Sequence, residues 1–395
     1  MFRFYTAGES HGEGLVAVVS GLPAGLEVDQ GFVDRELWRR QQGYGRGGRM
    51  KIEKDHAHIL SGVRHGKTIG SPISVLLANK DWKNWEEVLP VETGEPSKQK
   101  PVAAPRPGHA DLAGALKYNF PEARYVLERA SARESAARVA AGAFAKLFLR
   151  QLGVEVLSHV VAVGEARTEE DADWAALKAL AEKNEVLLNC VDDTAEQRMK
   201  DEVDKALKTG DSVGGVFEVI AHGVPPGLGT YANWDERLDA QLAGAVMSLQ
   251  AVKAVELGRG IAASQAMGST VHDEISYTAD AESDNVRYSR FSRSQNVAGG
   301  LEGGISNGQD IIVRGYLKPI STLRKPLNSV DFKSRAAVKA SYERADVCVV
   351  PAAGIAGEAM VALTLARAAL EKFGGDSMTE TLRNFEGYRQ QVRYF

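Results

Sequence analysis

The chain has 395 residues, of which 44% are hydrophobic and 25% are charged, and its formal net charge is −4. A chain of this length buries a large core without cross-links, and its two cysteines are too few for a disulfide framework. The slightly acidic balance excludes a general nucleic-acid coat protein, which needs a basic surface. We find no N-terminal signal segment and no run of ~20 apolar residues, and therefore expect a soluble cytoplasmic protein without membrane contact.

Apolar residues at helical spacing, followed by glycine, predict three helices. In chain order they cover residues 132–152, 237–257 and 358–373. Short apolar runs predict strands over residues 15–20, 73–77, 215–220, 309–316 and 346–350, with Asn307-Gly308 as a hairpin turn. The helices are rich in small residues that allow close approach, so we expect them to be packed inside an α+β sandwich.

No sharp domain boundary is visible, and we predict a single domain over residues 1–395. Residues 163–212 are rich in charged residues and alanine, which predicts a peripheral insertion with solvated helices. Residues 80–108 contain two tryptophans and five prolines and are predicted to form a long surface loop. Long loops in compact domains are often functional.

Three motifs resemble known binding sequences but fail in their context. Residues 43–48 match G-x-G-x-x-G, yet no apolar strand precedes them and no apolar helix follows, which disfavours a dinucleotide fingerprint. Residues 61–68 miss the P-loop pattern because Ser61 stands where glycine is required. His56 and His58 could share a strand face, but no further ligand is in register, so we predict no metal site.

Two loops carry histidines that could act as general acids or bases. Glycine-rich residues 8–14 hold His11 directly before the first predicted strand, although a turn with a locally bonded histidine explains the motif equally well. In residues 105–111, prolines stiffen a loop that carries Arg106 and His109. A merely structural turn is the alternative there.

Arginines cluster at two places. Residues 39–50 include Arg39, Arg40, Arg46 and Arg49 and no acidic residue. Uncompensated guanidinium groups favour anion binding over a solvated loop. The second place is the start of the first long helix, where Arg129 and Arg133 flank a segment in which Ser131 and Glu134 fit a capping box. The capping and anion-binding interpretations are compatible there.

Two further segments could take part in chemistry. Residues 318–322 offer one cation and two hydroxyls, which suit a phosphate but also an exposed turn. Asp346 follows Arg344 by two positions and could form an ion pair or accept a proton. With two histidines and at least five arginines, mostly in Gly/Pro-rich loops, the chain has the inventory for acid–base chemistry on a polyanionic small molecule.

Several of these strings, in this order, resemble the chorismate synthase family over nearly the whole chain. They are GESHG at residues 8–12, RMKIE at 49–53, RPGHAD at 106–111, RASARE at 129–134 and KPIST at 318–322. Ala130 departs from a common family serine, and Ala345 departs from a serine or histidine. The resemblance implies a β-α-β sandwich, with Ala/Gly-rich helices enclosed between antiparallel sheets, that assembles as a homotetramer.

The resemblance also implies a reaction. The family converts 5-enolpyruvylshikimate 3-phosphate to chorismate and phosphate by anti-1,4-elimination with reduced FMN, the last step of the shikimate pathway. By motif, His11 would protonate the leaving phosphate, His109 would hold the protonation state of the flavin, and Asp346 would assist proton removal. The implied substrate ligands are Ser10, Arg40, Arg46, Arg49, Arg106 and Arg133. The implied FMN site consists of Arg129, Ala130, Ser131, Gln250, Ala251, Gly303, Lys318, Pro319, Ile320, Ser321, Thr322 and Arg344.

Two other hypotheses remain open from the sequence. Some family members also reduce flavin with NADPH, and Arg40 and Arg46 are sometimes described as NADPH contacts. We interpret both as ligands of the substrate phosphate. Because the chain lacks a supported dinucleotide fingerprint, we expect it to depend on externally reduced flavin. The remaining hypothesis is a non-catalytic module that binds polyanions.

Overall fold

A computed structural model describes residues 1–47, 54–94, 96–169, 171–278, 288–343 and 346–395. One antiparallel sheet contains β1 (Arg3–Gly8), β2 (Gly14–Ser20), β3 (His58–Ser61) and β6 (Ile73–Ala78), in the order β1-β2-β6-β3. The two short strands β4 (Val63–Arg64) and β5 (Lys67–Thr68) form a hairpin between β3 and β6.

A second antiparallel sheet has five strands in the order β10-β15-β9-β7-β8. These strands are β7 (Glu155–Val163), β8 (Ala166–Arg167), β9 (Gly215–His222), β10 (Val252–Leu257) and β15 (Ile311–Leu317). Three small two-stranded pairs complete the strands: β11 (Ile275–Tyr277) with β12 (Phe291–Arg293), β13 (Leu301–Glu302) with β14 (Ile305–Ser306), and β16 (Asn328–Val330) with β17 (Ala337–Lys339).

The helices differ in length from one turn to more than six. In chain order they are α1 (Gln30–Gln41), α2 (Asp111–Tyr118), α3 (Arg124–Ala130), α4 (Ser135–Gln151), α5 (Trp174–Glu182), α6 (Asp193–Thr209), α7 (Leu238–Met247), α8 (Gly260–Ala263), α9 (Gly268–Val271), α10 (Val350–Phe373) and α11 (Met378–Arg393). Short 3-10 turns cover Trp82–Asn84 and Ala132–Glu134.

Helices α4 and α10 lie in the middle of the molecule, between the two sheets. They touch at Gly142 and Ala359, where a Cβ atom on Gly142 would collide with Ala359. Helix α4 packs on β2 and α10 packs on β7 and β9, where Gly357 leaves room for the ring of Phe217. The predicted α+β sandwich with enclosed, small-residue helices is therefore confirmed. The small residues allow the helices to pack closely on each other and on both sheets.

Helix α10 is long and apolar enough to cross a membrane by length and composition alone. However, 83% of its most apolar 18-residue window is buried inside the fold. Its apolar surface is covered by α4 and the second sheet, so it is a core helix rather than a membrane span.

Strands β2, β6, β9 and β15 confirm four of the predicted strands, and α4 confirms the first predicted helix. The prediction of a helix over residues 237–257 was wrong in its second half. Helix α7 ends at Met247, Ala251 adopts a left-handed backbone with φ of 69°, and Val252 begins a strand paired with β15. Apolar residues alone do not distinguish a buried strand from a buried helix.

Two other predictions in this part of the chain were wrong. Residues 346–350 do not form a strand; the N–H of Val347 donates to the carbonyl of Gly45, and α10 begins at Val350 with Pro351 in its first turn. That helix therefore starts eight residues before the predicted position. Asn307-Gly308 does not close a hairpin, because β14 pairs with β13 whereas β15 pairs with strands of the second sheet.

The predicted insertion over residues 163–212 contains α5 and α6. Helix α6 is amphipathic, and Met199 and Val203 on its inner face are completely buried in the main core. Only its outer face is solvated, so this segment is joined to the core more closely than its charge pattern suggests. Its status as an insertion stays a prediction.

Candidate active site

A cavity of about 880 Å³ lies where the first turns of α4 and α10 meet the loop between β1 and β2. Its walls also include the end of α1 and parts of the segment between β6 and α2. Most of the predicted site residues line it: Ser10, His11, Arg40, Arg46, Arg106, His109, Ala130, Ser131, Arg133, Gln250, Ala251, Lys318, Ile320, Ser321, Thr322 and Asp346. The fold therefore brings residues from the whole length of the chain into one space.

His11 is held by Glu128 of α3. Its Nδ1 lies 3.0 Å and 3.1 Å from the two carboxylate oxygens of Glu128, and its backbone N–H donates to Oε2 at 2.8 Å. The imidazole also stacks on the ring of Trp85, with 4.0 Å between centroids. Burial opposes ionisation of Glu128, but His11 and Arg124 outweigh it and hold the pKa of Glu128 below its usual value. An anionic carboxylate therefore stands beside this imidazole.

His109 has a similar partner in Asp111, whose carboxylate is fully buried at the start of α2. Nδ1 of His109 lies 2.5 Å from Asp111 Oδ1. Arg106 donates to the same carboxylate through Nε at 2.8 Å and Nη2 at 3.0 Å, and its Nη1 donates to Thr322 Oγ1 at 2.8 Å. Burial opposes ionisation of Asp111, but His109 and Arg106 hold its pKa well below the usual range. Most donors of Arg106 are thus engaged within the wall.

Arg40 and Arg133 are both nearly buried and share the carboxylate of Asp55. Nη1 of Arg133 lies 2.7 Å from each oxygen, and Nη2 of Arg40 lies 3.1 Å from Oδ2. Burial lowers the pKa of Arg40 to about 10; it also opposes ionisation of Asp55, but the two arginines hold the pKa of Asp55 below its usual value. Nε of Arg40 is buried and meets no hydrogen-bond acceptor in the described part of the chain. Two guanidinium groups on one carboxylate leave a net positive charge that suits an anion.

Asp346 is held at the cavity wall by residues that follow α1. The backbone N–H of Gly47 donates to its Oδ1 at 2.5 Å, and Nε of Arg46 lies 3.3 Å from its Oδ2. This contact connects the loop after α1 with the segment that leads into α10. Both interpretations of Asp346, an ion pair or a proton acceptor, are compatible with this geometry.

Arg39 belongs to the core rather than to the cavity. Its guanidinium donates to Glu36 at 2.9 Å and to both oxygens of Glu358 at 2.7 Å and 2.8 Å, and Lys146 binds the same two glutamates. The expectation that this arginine cluster lacks compensating carboxylates was therefore wrong. Glu36, one turn earlier in α1, and Glu358 of α10 compensate the charge of Arg39. Asp55 does the same for Arg40.

The capping box predicted at the start of the first long helix does not form. Ser131 Oγ accepts from the N–H of Arg133 at 3.3 Å, whereas the carboxylate of Glu134 binds Thr6, Arg138 and Gln250. Glu134 thereby joins α4 to β1 and to the segment that carries Ala251. Ser131 still caps the helical turn, whereas Glu134 connects segments of the cavity wall and does not cap the helix.

A few predicted site residues do not line the cavity. The guanidinium of Arg129 donates to the carbonyls of Thr6 and Gly8 at 2.9 Å and 3.0 Å, and Pro319 is absent from the lining. Gly303 lies in the turn between β13 and β14, outside the cavity. Arg49 and Arg344 lie outside the described residues, so their roles stay predictions.

Sequence reasoning missed several wall and supporting residues. Trp85 and Lys100 line the cavity, and the only signal for them was the long loop over residues 80–108. Glu128 and Asp55 support the site from behind, and neither carries a local sequence signal, since their partners are distant in the chain. Among the described residues, His56 and His58 belong to no group of three or more metal-ligating side chains, and His56 forms an exposed contact of 2.8 Å with Asp34.

Comparison with known proteins decides the family. Residues 2–370 match the family model described as chorismate synthase. The chain is 69% identical over 396 residues to a chorismate synthase of Koribacter versatilis and 68% identical over 395 residues to one of Acidobacterium capsulatum, with 100% of both chains covered in each case. The chain belongs to the chorismate synthase family. It is also similar to a crystal structure of a chorismate synthase, with a TM-score of 0.78, 39% identity and coverage of 100% and 99%.

The resemblance seen in the sequence motifs is thereby confirmed. Like its chorismate synthase relatives, the chain is an enzyme, a lyase of the shikimate pathway that acts on a small molecule. A non-catalytic polyanion-binding module is disfavoured by the same finding.

Proposed function

We propose that this chain converts 5-enolpyruvylshikimate 3-phosphate to chorismate and phosphate by anti-1,4-elimination with reduced FMN. The observation that supports this most is that His11, His109 and Asp346 share one cavity with four arginines. The substrate carries one phosphate and two carboxylates, which match a lining of guanidinium groups. A volume of about 880 Å³ is near the upper end of the ~300–1,000 Å³ typical of small-molecule sites, which leaves room for a cofactor beside the substrate.

In this proposal the arginines bind and orient the substrate. Arg40 and Arg133 hold the phosphate, and the buried Nε of Arg40 supplies a donor that has no acceptor among the described residues. Arg46 and Ser10 complete the anion site, while Arg106 acts mainly by holding Thr322 and Asp111, the partner of His109, in place. Arg40, Arg106 and Arg133 are buried away from bulk water, which strengthens their attraction for developing negative charge on the phosphate.

The proton transfers fall to the two histidines and the aspartate. His11 gives a proton to the phosphate as its C–O bond breaks, and Asp346 assists removal of the proton from the ring carbon. Asp111 keeps a proton on Nδ1 of His109, so that this imidazole presents a defined tautomer to the cavity.

The cavity wall fits a flavin mononucleotide. Lys318 brings an ammonium group and Ser321 and Thr322 bring hydroxyls, which suit a phosphate, while Ala130 and Ala251 leave flat, small surfaces for a ring. The residues that would hold FMN are Ala130, Ser131, Gln250, Ala251, Lys318, Ile320, Ser321 and Thr322. Reduced FMN, when bound, supplies electron density to the allylic system as the phosphate departs.

We also propose that the flavin is reduced by another protein, and that the enzyme is a cytoplasmic homotetramer. The proposal of a homotetramer rests on the family resemblance of the sequence motifs. The molar mass in solution, measured by light scattering, tests the assembly.

The test of the reaction is anaerobic incubation of the purified protein with dithionite-reduced FMN and 5-enolpyruvylshikimate 3-phosphate. We expect chorismate absorbance to rise together with released phosphate, and no product would overturn the proposal. Asp346→Ala should bind FMN and substrate but release little phosphate. Oxidation of NADPH by the pure protein with FMN would instead reveal an intrinsic flavin reductase and contradict the dependence on external reduction.

A further inference from the structure

We infer that Glu128 is a positioning residue for the reaction: it determines which nitrogen of His11 exchanges the catalytic proton. This inference rests on the proposed function, in which His11 protonates the leaving phosphate. Glu128 itself does not line the cavity, and its side chain is only 1% exposed, against 14% for His11. It therefore acts on the reaction only through the histidine.

Glu128 holds His11 and its loop at several points. Its carboxylate accepts from the backbone N–H of His11 at 2.8 Å and lies 3.0 Å from Nδ1, and its backbone carbonyl accepts from the N–H of Ser10 at 2.9 Å. One residue of α3 thus fixes both the main chain of the glycine-rich loop and the imidazole. Stacking on Trp85 at 4.0 Å sets the plane of the ring.

The chemical consequence follows from the acceptor character of a carboxylate. An ionised Glu128 accepts only, so Nδ1 of His11 must carry a proton in both charge states of the ring. The exchangeable proton of the imidazolium is then the one on Nε2. When it passes to the phosphate oxygen, the ring becomes neutral and keeps its Nδ1–H on Glu128, and no second proton needs to move.

The charged groups around His11 are arranged to keep Glu128 anionic. Arg124 lies 3.3 Å from Glu128 and is itself bound to Glu343 at 2.8 Å, and the ammonium of Lys100 lies 4.0 Å from the centre of the Trp85 ring. Asp81 lines the same cavity as His11 and Lys100. The carboxylate of Glu128 contacts Nδ1 of the ring at 3.0 Å.

The experiment replaces Glu128 by glutamine, which keeps the size and an oxygen acceptor but removes the charge. With reduced FMN and 5-enolpyruvylshikimate 3-phosphate, we expect Glu128→Gln to lower kcat by about tenfold to a hundredfold, a part of the ~10²–10⁴-fold that general acid catalysis contributes. KM should change less than about threefold, because the substrate ligands are intact.

A spectroscopic measurement gives a readout independent of turnover. Solid-state ¹⁵N NMR of histidine-labelled protein, with the His11 signals assigned by their loss in His11→Asn, reports the tautomer directly. In the parent we expect a neutral ring protonated at Nδ1, and in Glu128→Gln a shift of the population toward the Nε2–H form. An unchanged tautomer in the variant would overturn the inference.

Glu218→Gln is the matched control, because Glu218 is also a buried glutamate bound to a histidine and an arginine but lies outside the cavity. It should keep the kcat of the parent and the tautomer of His11. Equal losses of kcat in Glu128→Gln and Glu218→Gln would show a general structural effect and refute the positioning role. A parent that makes no chorismate would refute the proposed function instead, whereas an active parent with an unaffected Glu128→Gln would refute this inference alone.

Discussion

The described part of the chain contains two clusters in which a buried glutamate binds one histidine and one arginine. The members are His11, Glu128 and Arg124 in the first cluster, and His159, Glu218 and Arg314 in the second. The glutamate lies 3.0 Å from its histidine in one and 3.1 Å in the other. In both clusters burial opposes ionisation of the glutamate, and its two partners nevertheless hold the pKa below the usual value.

The two clusters differ in what the imidazole reaches. The side chain of His11 is 14% exposed and faces the cavity, whereas that of His159 is 1% exposed within the second sheet. Nδ1 of His159 is buried and has no hydrogen-bond partner within the described ranges. The same three side chains thus support chemistry in one place and hold strands together in the other. A perturbed carboxylate beside a histidine identifies a functional site only when a cavity adjoins it.

The largest expected effect separates the two histidines. His11→Ala should lower kcat by about 10²–10⁴-fold because the general acid is lost, while the dissociation constants of FMN and substrate change less than about threefold. His159→Ala should leave kcat within about twofold of the parent and lower the melting temperature. Steady-state kinetics, ligand titration and thermal unfolding of both variants provide the comparison, and similar losses of kcat in the two would abolish the distinction.

A second prediction concerns how the cluster of His159, Glu218 and Arg314 contributes to the free energy of unfolding at different pH values. The pKa of Glu218 is lowered in the folded state, so its ionised form contributes stability above the ordinary glutamate value of ~4.3, and this contribution disappears as the pH falls. Glu218→Gln should therefore cost about 1–3 kcal/mol of unfolding free energy at pH 7. Urea unfolding at several pH values should show the parent and the variant converging below about pH 4. A difference that grows on acidification would contradict the assigned charge state.

The smallest predicted effect concerns two tryptophans, each stacked on a partly buried histidine. Trp85 stacks on His11 at 4.0 Å, and Trp174, which does not line the cavity, stacks on His222 at 4.7 Å. An aromatic pair contributes about 0.5–1.5 kcal/mol, so Trp85→Leu should lower kcat by about two- to tenfold. Trp174→Leu should leave kcat unchanged in the same assay. Equal kcat values for parent and Trp85→Leu would show that the stack does not orient the catalytic ring.

The sequence predicted the parts of the fold that depend on local pattern. The alanine-rich core helix α4 and the strands β2 and β15 follow from periodicity and composition. The helix prediction for residues 252–257 was wrong because their apolar spacing is compatible with both a helix and a strand. Pairing with β15, which is distant in the sequence, makes this segment a strand. The hairpin expected at Asn307-Gly308 failed for a related reason, since the turn connects strands of different sheets.

The site was predictable where glycine- and proline-rich loops carry unusual residues. His11, Arg106 and His109 were found in this way, and all three line the cavity. Arg39 and Arg40 show what the local sequence cannot predict, although they are adjacent and chemically identical. The turn of α1 directs Arg39 to Glu358 in the core and Arg40 to Asp55 behind the cavity wall. Which side of a helix faces a site depends on what packs against it, and that information is absent from the local sequence.

The contact between Gly142 and Ala359 has a consequence for how this enzyme can vary. Helix α4 leads back to Arg133 and α10 leads back to Asp346, so the helices that touch there each carry part of the cavity lining at their first turns. The methyl group of Gly142→Ala would push α4 and α10 apart and thereby change the width of the cavity. The geometry of the cavity therefore depends on a buried position that is not part of its lining.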